Sequence, residues 1–270
     1  MKRNFGIPKF TTGGPSVMAI VEPKDKTVAA YKGLHLYHGD ISNCSMRVRM
    51  TLIEKDLDWK SHHIDLKKKE NISDKYFAIN PNGLVPTLID NGVVHIESNE
   101  IIDHIDQTYK KHSLRSENEE EMLSWLKLAA DLHVPAVKPY VYATMMQKKL
   151  KKSDAEQRKY DELQTNRELK DFHSKHAGQK AFGENDISQS LEILEESFQK
   201  LEETLNGRIW IMGDMFSLAD ISWIPLHFVL IGCGYPFNKY SNITRWAENC
   251  SKRESFKQGI LKWCPDFSKV

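Results

Sequence analysis

"NPNGLVPTLIDNGVVHIESNEIIDHIDQTY", Asn80 to Tyr109, holds the fold in thirty residues. "PTLI" and "VVHI" are apolar runs of strand length, and Asp90-Asn91-Gly92 lies between them. Asn-Gly is among the strongest short hairpin signals, because both central residues of a type I′ turn need positive φ. Pro86 opens the first run, where its missing N–H costs a sheet least. After the hairpin, Ile101, Ile102 and Ile105 recur at helical spacing behind Glu97-Ser98. The stretch therefore reads strand, tight turn, strand, helix.

Upstream, "LHLY" from Leu34 is a short strand, and "NCSMRVRMTLIEK" follows it. There Met46, Val48, Leu52 and Ile53 predict a helix with one apolar face. "WKSHHIDL" alternates as a half-buried strand does. "SDKYFAI" is a short helix with Ser73 as its cap. The order strand–helix–strand–helix–hairpin–helix predicts a mixed sheet in an α/β domain over 33–111. Residues 1–32, rich in Gly, Pro, Thr and Lys, predict an N-terminal extension that is either draped on the body or disordered.

Downstream, "KKHSLRSENEEE" is a polar linker, and everything after it is helical in pattern. Ile187, Leu191, Leu194, Phe198, Leu201 and Leu205 step by four and three as far as Asn206-Gly207, a helix stop. "ISWIPLHFVLIGCG" is too short to span a bilayer and predicts a buried helix. "MQKKLKKSDAEQRKYDELQTNRELKDFHSKH" mixes both charge signs and predicts a solvated helical excursion. The second domain, 117–264, is thus all-helical.

Composition narrows the function. The chain of 270 residues carries a formal net charge of +1, which gives no reason to expect a nucleic-acid or membrane partner. Its four cysteines, Cys44, Cys233, Cys250 and Cys264, form no CxxC pair, and they fit a reducing compartment better than a disulfide framework. His62-His63 lies on a strand, where adjacent side chains point to opposite faces, so a shared metal is not expected.

Two places could carry chemistry. Ser42, Asn43 and Cys44 cluster at a helix start, with Asn43 the candidate cap. Glu97-Ser98 begins another helix, where exposed N–H groups and a hydroxyl either cap the first turn or receive a carboxylate.

Together, "SNCSMRVR", "NPNGLVPTLIDNG", Glu97-Ser98 and "FSLADISWIP" resemble a cytosolic glutathione transferase over Leu34 to Trp263. The first motif is similar to the zeta class (maleylacetoacetate isomerases). "NEIIDHIDQTY" and the polar insert resemble the ganglioside-induced differentiation-associated branch. The resemblance implies a thioredoxin-like N-terminal domain followed by the helical one, and a cis peptide at Pro86. It implies Val85 pairing with the backbone of glutathione as co-substrate, with Ser98 and Glu97 on its γ-glutamyl end. It further implies a cytoplasmic homodimer with a small electrophilic second substrate.

By the zeta pattern the activating serine stands five positions before the first arginine, Arg47, which is Ser42. A free thiol titrates near pH 8.5, and holding it as thiolate about two units lower takes roughly 2.7 kcal/mol. One hydrogen bond to a charged group supplies about 1.5–3 kcal/mol and a helix N-terminus about 0.3–1 more, so no metal is required. Cys44 stands as the rival: a thiol at a first turn, or a small packing residue. Asn43 departs from the zeta motif, which has serine there. Glutathione-dependent isomerisation, ether cleavage and a non-catalytic scaffold are the alternatives to conjugation. The remaining candidates are weaker. The Lys67–Lys69 run lies where relatives place a basic residue, and His133, Tyr140 and Tyr142 lie where the family lines its second pocket.

Overall fold

The computed structural model describes residues 20–146, 153–167, 169–170 and 182–265. A five-stranded sheet of order β1-β5-β4-β2-β3 is built from β1 (Ile20–Val21), β2 (Leu34–His38), β3 (Trp59–His63), β4 (Thr87–Asp90) and β5 (Val93–His95). β2 and β3 run parallel and the other neighbours antiparallel. The parallel pair requires a crossover, which is helix α1 (Asn43–Glu54). Asn91 (φ 47°) and Gly92 (φ 89°) turn the hairpin as the Asn-Gly pair predicts. Gly92 is also pressed against residue 29, since a Cβ there would lie 2.4 Å from the Ala29 carbonyl oxygen.

Period two sorts the strand residues onto two faces. Leu34, Leu36 and Leu88 face α1 and α3 (Ser98–Thr108), in a core that continues into the helical half through Trp125, Phe198 and Trp223. Tyr37, Ile89 and Val94 face Tyr76 and Ile79, at and just beyond the short helix α2 (Asp74–Phe77). Residues 20–31 complete that second layer. Ile20 and Val21 pair with β5, Val28 is fully buried, and the Asp25 N–H donates to the Ala78 carbonyl at 2.8 Å. Residues 1–19 of the predicted extension lie outside the described residues.

The helical half comprises α4 (Glu119–Asp131), α5 (Lys138–Val141), α6 (Asp154–Leu163), α7 (Glu184–Thr204), α8 (Leu218–Gly232), α9 (Ser241–Ser251) and α10 (Glu254–Gly259). α7 buries Leu194, Phe198 and Leu201 and ends before Gly207, at φ 72°. Leu191 of the predicted stripe is instead exposed. α8 is the buried helix expected, and among the described residues no helix is long and apolar enough to cross a membrane.

Two expectations need correction. α1 is not amphipathic: it packs on α3, α8 and α10 and is buried on nearly every side, Arg47 and Arg49 included. The excursion is not merely solvated. Residues 147–152 and 171–181 lie outside the described residues, but α6 docks on the first domain, burying Tyr160 beside Ile72 and Phe77.

Candidate functional site

The site begins where β2 ends. Gly39–Ile41 leave the sheet, and Ser42, not Asn43, caps α1: its Oγ accepts the Ser45 N–H at 3.2 Å. That bond uses an acceptor lone pair and leaves the Ser42 O–H proton to donate elsewhere. Asn43 is the first helical residue and is buried. Its Oδ1 accepts the Cys44 N–H at 2.9 Å, and its Nδ2 approaches His133 Nδ1 at 3.4 Å. Burial, with Lys138 and Arg47 adding repulsion, holds the His133 pKa well below its ordinary value. His133 is therefore a neutral imidazole, free to accept at Nδ1.

Ser42 and Cys44 are two residues apart, which on a helix turns them about 200° from one another. Both are half-buried. Cys44 lies within electrostatic reach of Arg47 and Lys138, two cations that burial drives toward neutrality.

The Val85–Pro86 peptide is cis. Thr87, next in chain, pairs with Tyr37, so the cis bond lies beside the exit of β2. A Cβ on Gly39 would approach Val85 Cγ2 at 3.4 Å, which places Val85 against the loop leading into α1.

Glu97 occupies the N-cap position of α3 but does not cap it, so the capping reading fails. Its φ of 64° and ψ of 110° are unusual for a non-glycine residue. Such geometry costs on the order of 1–3 kcal/mol and gathers at ligand sites. Glu97 is solvent-exposed, yet protein crowds its carboxyl. Burial raises its pKa, opposed by Lys138. Ser98 is buried, and its Oγ accepts from Arg47 Nη1 at 3.1 Å. Arg47 also donates through Nε to the Ser222 carbonyl at 2.9 Å, tying α1, α3 and α8 together.

Cys44, Glu97, His133 and Lys138 thus gather where the sheet domain meets the helical half, within electrostatic or hydrogen-bond reach of one another through Asn43 and Lys138, with Ser42 and Ser98 at the starts of α1 and α3. Sequence reasoning missed Lys138, and Arg47 served only as a spacing marker. A buried guanidinium bonded to carbonyls carries no local sequence signal.

The other candidates lie elsewhere. Tyr140 packs on Tyr235, and Tyr142 on Phe182. Lys68 pairs with Asp65 and Lys69 with Glu156. His62 Nε2 meets His35 Nδ1 at 2.9 Å on one face, while His63 pairs with Asp40 on the other. Among the described residues no group of three or more His, Cys, Asp or Glu could hold a metal. A groove of about 710 Å³ lies at the far end of α1, lined by Glu54, Trp210 and Arg253. It contains none of the candidate residues, and its central charges, Arg253 and Glu54, satisfy each other at 2.6–2.7 Å.

Comparison with known proteins agrees with this architecture. The family model "Glutathione S-transferase, N-terminal domain" matches residues 36–113, and "Glutathione S-transferase, C-terminal domain" matches 139–254. A zeta-class glutathione S-transferase of Euphorbia esula is 26% identical over 252 residues, spanning 92% of this chain and 97% of the relative. The beta-etherase LigF from Sphingobium sp. strain SYK-6 superposes with a TM-score of 0.73 at 23% identity, over 85% of this chain and 99% of that one. Glutathione transferase URE2P8 from Phanerochaete chrysosporium, solved with oxidized glutathione, gives 0.67 at 20% identity, over 89% and 99%.

Proposed function

Because this chain belongs to the glutathione S-transferase family, we propose that it binds glutathione between the start of α1 and the start of α3 and activates its thiol for attack on an electrophilic carbon. One observation carries the reading: a serine hydroxyl with a proton to donate stands at the first turn of α1, beside the cis Val85–Pro86 turn. Val85 pairs with the extended backbone of the tripeptide, which a proline neighbour leaves unpaired in the sheet. The γ-glutamyl end lies at the start of α3, its carboxylate on Ser98 and the helix N–H groups, its ammonium on Glu97.

Ser42 then donates its O–H to the sulfur, and the helix N-terminus adds a positive potential. Arg47 and Lys138 contribute the same sign of field. The thiol proton passes to solvent, the thiolate attacks the electrophile, the new bond forms to sulfur, and the leaving group departs with the displaced electron pair. Titration of the bound thiol tests this reading. Ser42→Ala raises its pKa by about 1–2 units and lowers kcat/KM about 10–150-fold, the worth of one charged hydrogen bond. An unchanged thiol titration would remove Ser42 from the chemistry.

A second reading rests on Cys44, a half-buried thiol in the first turn of α1 and within electrostatic reach of Arg47 and Lys138. There the Cys44 thiolate attacks the sulfur of a glutathione mixed disulfide and expels the other thiol. Cys44→Ser abolishes that exchange and spares conjugation. Zeta-like isomerisation is separated by product analysis, since an isomerase leaves glutathione unconsumed. We also place the chain in a homodimer, as is typical of the family. Sedimentation should give about twice the 31.2 kDa chain mass, and a monomer at micromolar concentration overturns that assignment.

A further inference from the structure

The turn that presents Val85 is held by side chains at every step. The three peptide carbonyls preceding it each accept a side-chain hydrogen bond. The Leu84 carbonyl accepts from Tyr76 Oη at 2.7 Å and Asn80 Nδ2 at 2.8 Å. The Gly83 carbonyl accepts from Asn71 Nδ2 at 2.9 Å. These donors come from the sheet domain itself. The Asn82 carbonyl accepts from Gln164 Nε2, also at 2.9 Å, and Gln164 belongs to the excursion of the helical half.

Gln164 has the features of a specified contact. It ends α6, where the backbone turns to extended geometry (φ −75°, ψ 114°), and only 4% of its surface is exposed. Burying so flexible an amide costs side-chain entropy, so it survives only where its polar atoms are used. They are all engaged. Nε2 donates a second bond to Tyr160 Oη at 3.1 Å, and Oε1 accepts the Asn166 N–H at 2.8 Å. Asn166 Nδ2 in turn approaches Asn82 Oδ1 at 3.4 Å. An apolar residue would suffice if the excursion merely needed to be glued down. Tyr160 and the Lys69–Glu156 and Lys159–Asp74 ion pairs already do that.

We propose that Gln164 is a positioning residue: through the Asn82 carbonyl it sets the turn that offers the Val85 backbone to glutathione, and so couples the helical excursion to glutathione affinity. This rests on the glutathione-binding reading above. With the bond absent, the Asn82 carbonyl is left buried and unpaired, and the 82–86 turn relaxes away from the geometry that pairs with the tripeptide.

Calorimetric titration of reduced glutathione into the full chain, with conjugation of a chlorodinitrobenzene as a second readout, tests it. Gln164→Met keeps length and packing but removes the donor. It should raise the glutathione Kd about five- to twenty-fold and the KM in parallel, with kcat at saturating glutathione within about two-fold. Lys159→Ala, which removes an exposed ion pair of the same helix, should leave Kd within about two-fold. Should Gln164→Met fail to fold, Asn166→Ala replaces it, with an expected rise of about two- to five-fold. A variant that melts earlier yet binds glutathione like the wild type makes Gln164 packing only and overturns the proposal. Equal weakening by Lys159→Ala overturns it as well. Absence of glutathione binding by the wild type would refute the underlying reading, which the variant comparison alone cannot do.

Discussion

At the scale of single residues, the first turn of α1 divides work among neighbours that look interchangeable in the chain. Ser42 caps, Asn43 ties the turn to His133, and Cys44 lies within electrostatic reach of Arg47 and Lys138. Glu97 carries strain in its own backbone. Its φ of 64° is one glycine tolerates and glutamate does not favour. Glu97→Gly should therefore hold or raise Tm while weakening glutathione binding about ten-fold or more, because strain and ligand leave together. A fall in Tm with unchanged binding would mean that Glu97 serves the fold instead. Thermal melts alongside glutathione titration measure both.

At the scale of elements, buried polar side chains join what sequence places far apart. Arg49, buried and pushed down to a pKa of about 10, donates to the carbonyls of Gly39, Asp40 and Gly259 and to His38 Nδ1. It thereby locks the loop before Ser42 to α10. Asp220 does the same for the helical half. One oxygen accepts the Ser217 N–H, and the other accepts the Ile211 N–H and Trp246 Nε1, each at 2.8–2.9 Å. Replacing Asp220 by Ala leaves these buried donors unpaired and should cost about 2–4 kcal/mol. Chemical denaturation reads this directly, and a loss under about 0.5 kcal/mol would mean that water replaces the carboxylate. Leu114 N–H and Lys55 both bond to Asp106, a buried pair at 2.7 Å that fixes the linker to the end of α1.

The molecule as a whole stores its pH dependence in buried histidines. Burial lowers His38 to about 3 and His95 and His227 to about 4, and it holds His133 well below its ordinary value. The unfolded chain protonates these rings near 6.5 and the folded one does not, so stability is lost as pH falls from 6.5 toward 4. Asp220 opposes this: with its pKa raised to about 6, the folded state takes its proton first and gains as pH falls through that value. The imidazoles outnumber it, so the urea midpoint should drop steadily from pH 7 to pH 5. Each uncompensated proton contributes about 1.4 kcal/mol per pH unit. A flat midpoint over that range would overturn the assignment of these rings as neutral.

Much of this architecture was legible in the chain, because its signals are local. Asn91-Gly92 needs positive φ wherever it occurs, period two marks β4 and β5, and Ser217 and Asp220 lie within one turn of each other. The candidate site was legible only as positions. The resemblance to the zeta motif pointed to Ser42, yet only tertiary packing brought Lys138, 94 residues away in the chain, near Cys44. α1 reads as half-exposed because a pattern of single residues cannot announce that a second domain covers the other face. The excursion reads as solvated because its contacts, from Gln164 to Asn82 and from Lys159 to Asp74, belong to distant pairs. Local propensity and turn chemistry determined the elements. Only tertiary packing decided which buried cations lie near Cys44 and which side chain bonds the Asn82 carbonyl, since those depend on desolvation and contact between segments the chain keeps apart.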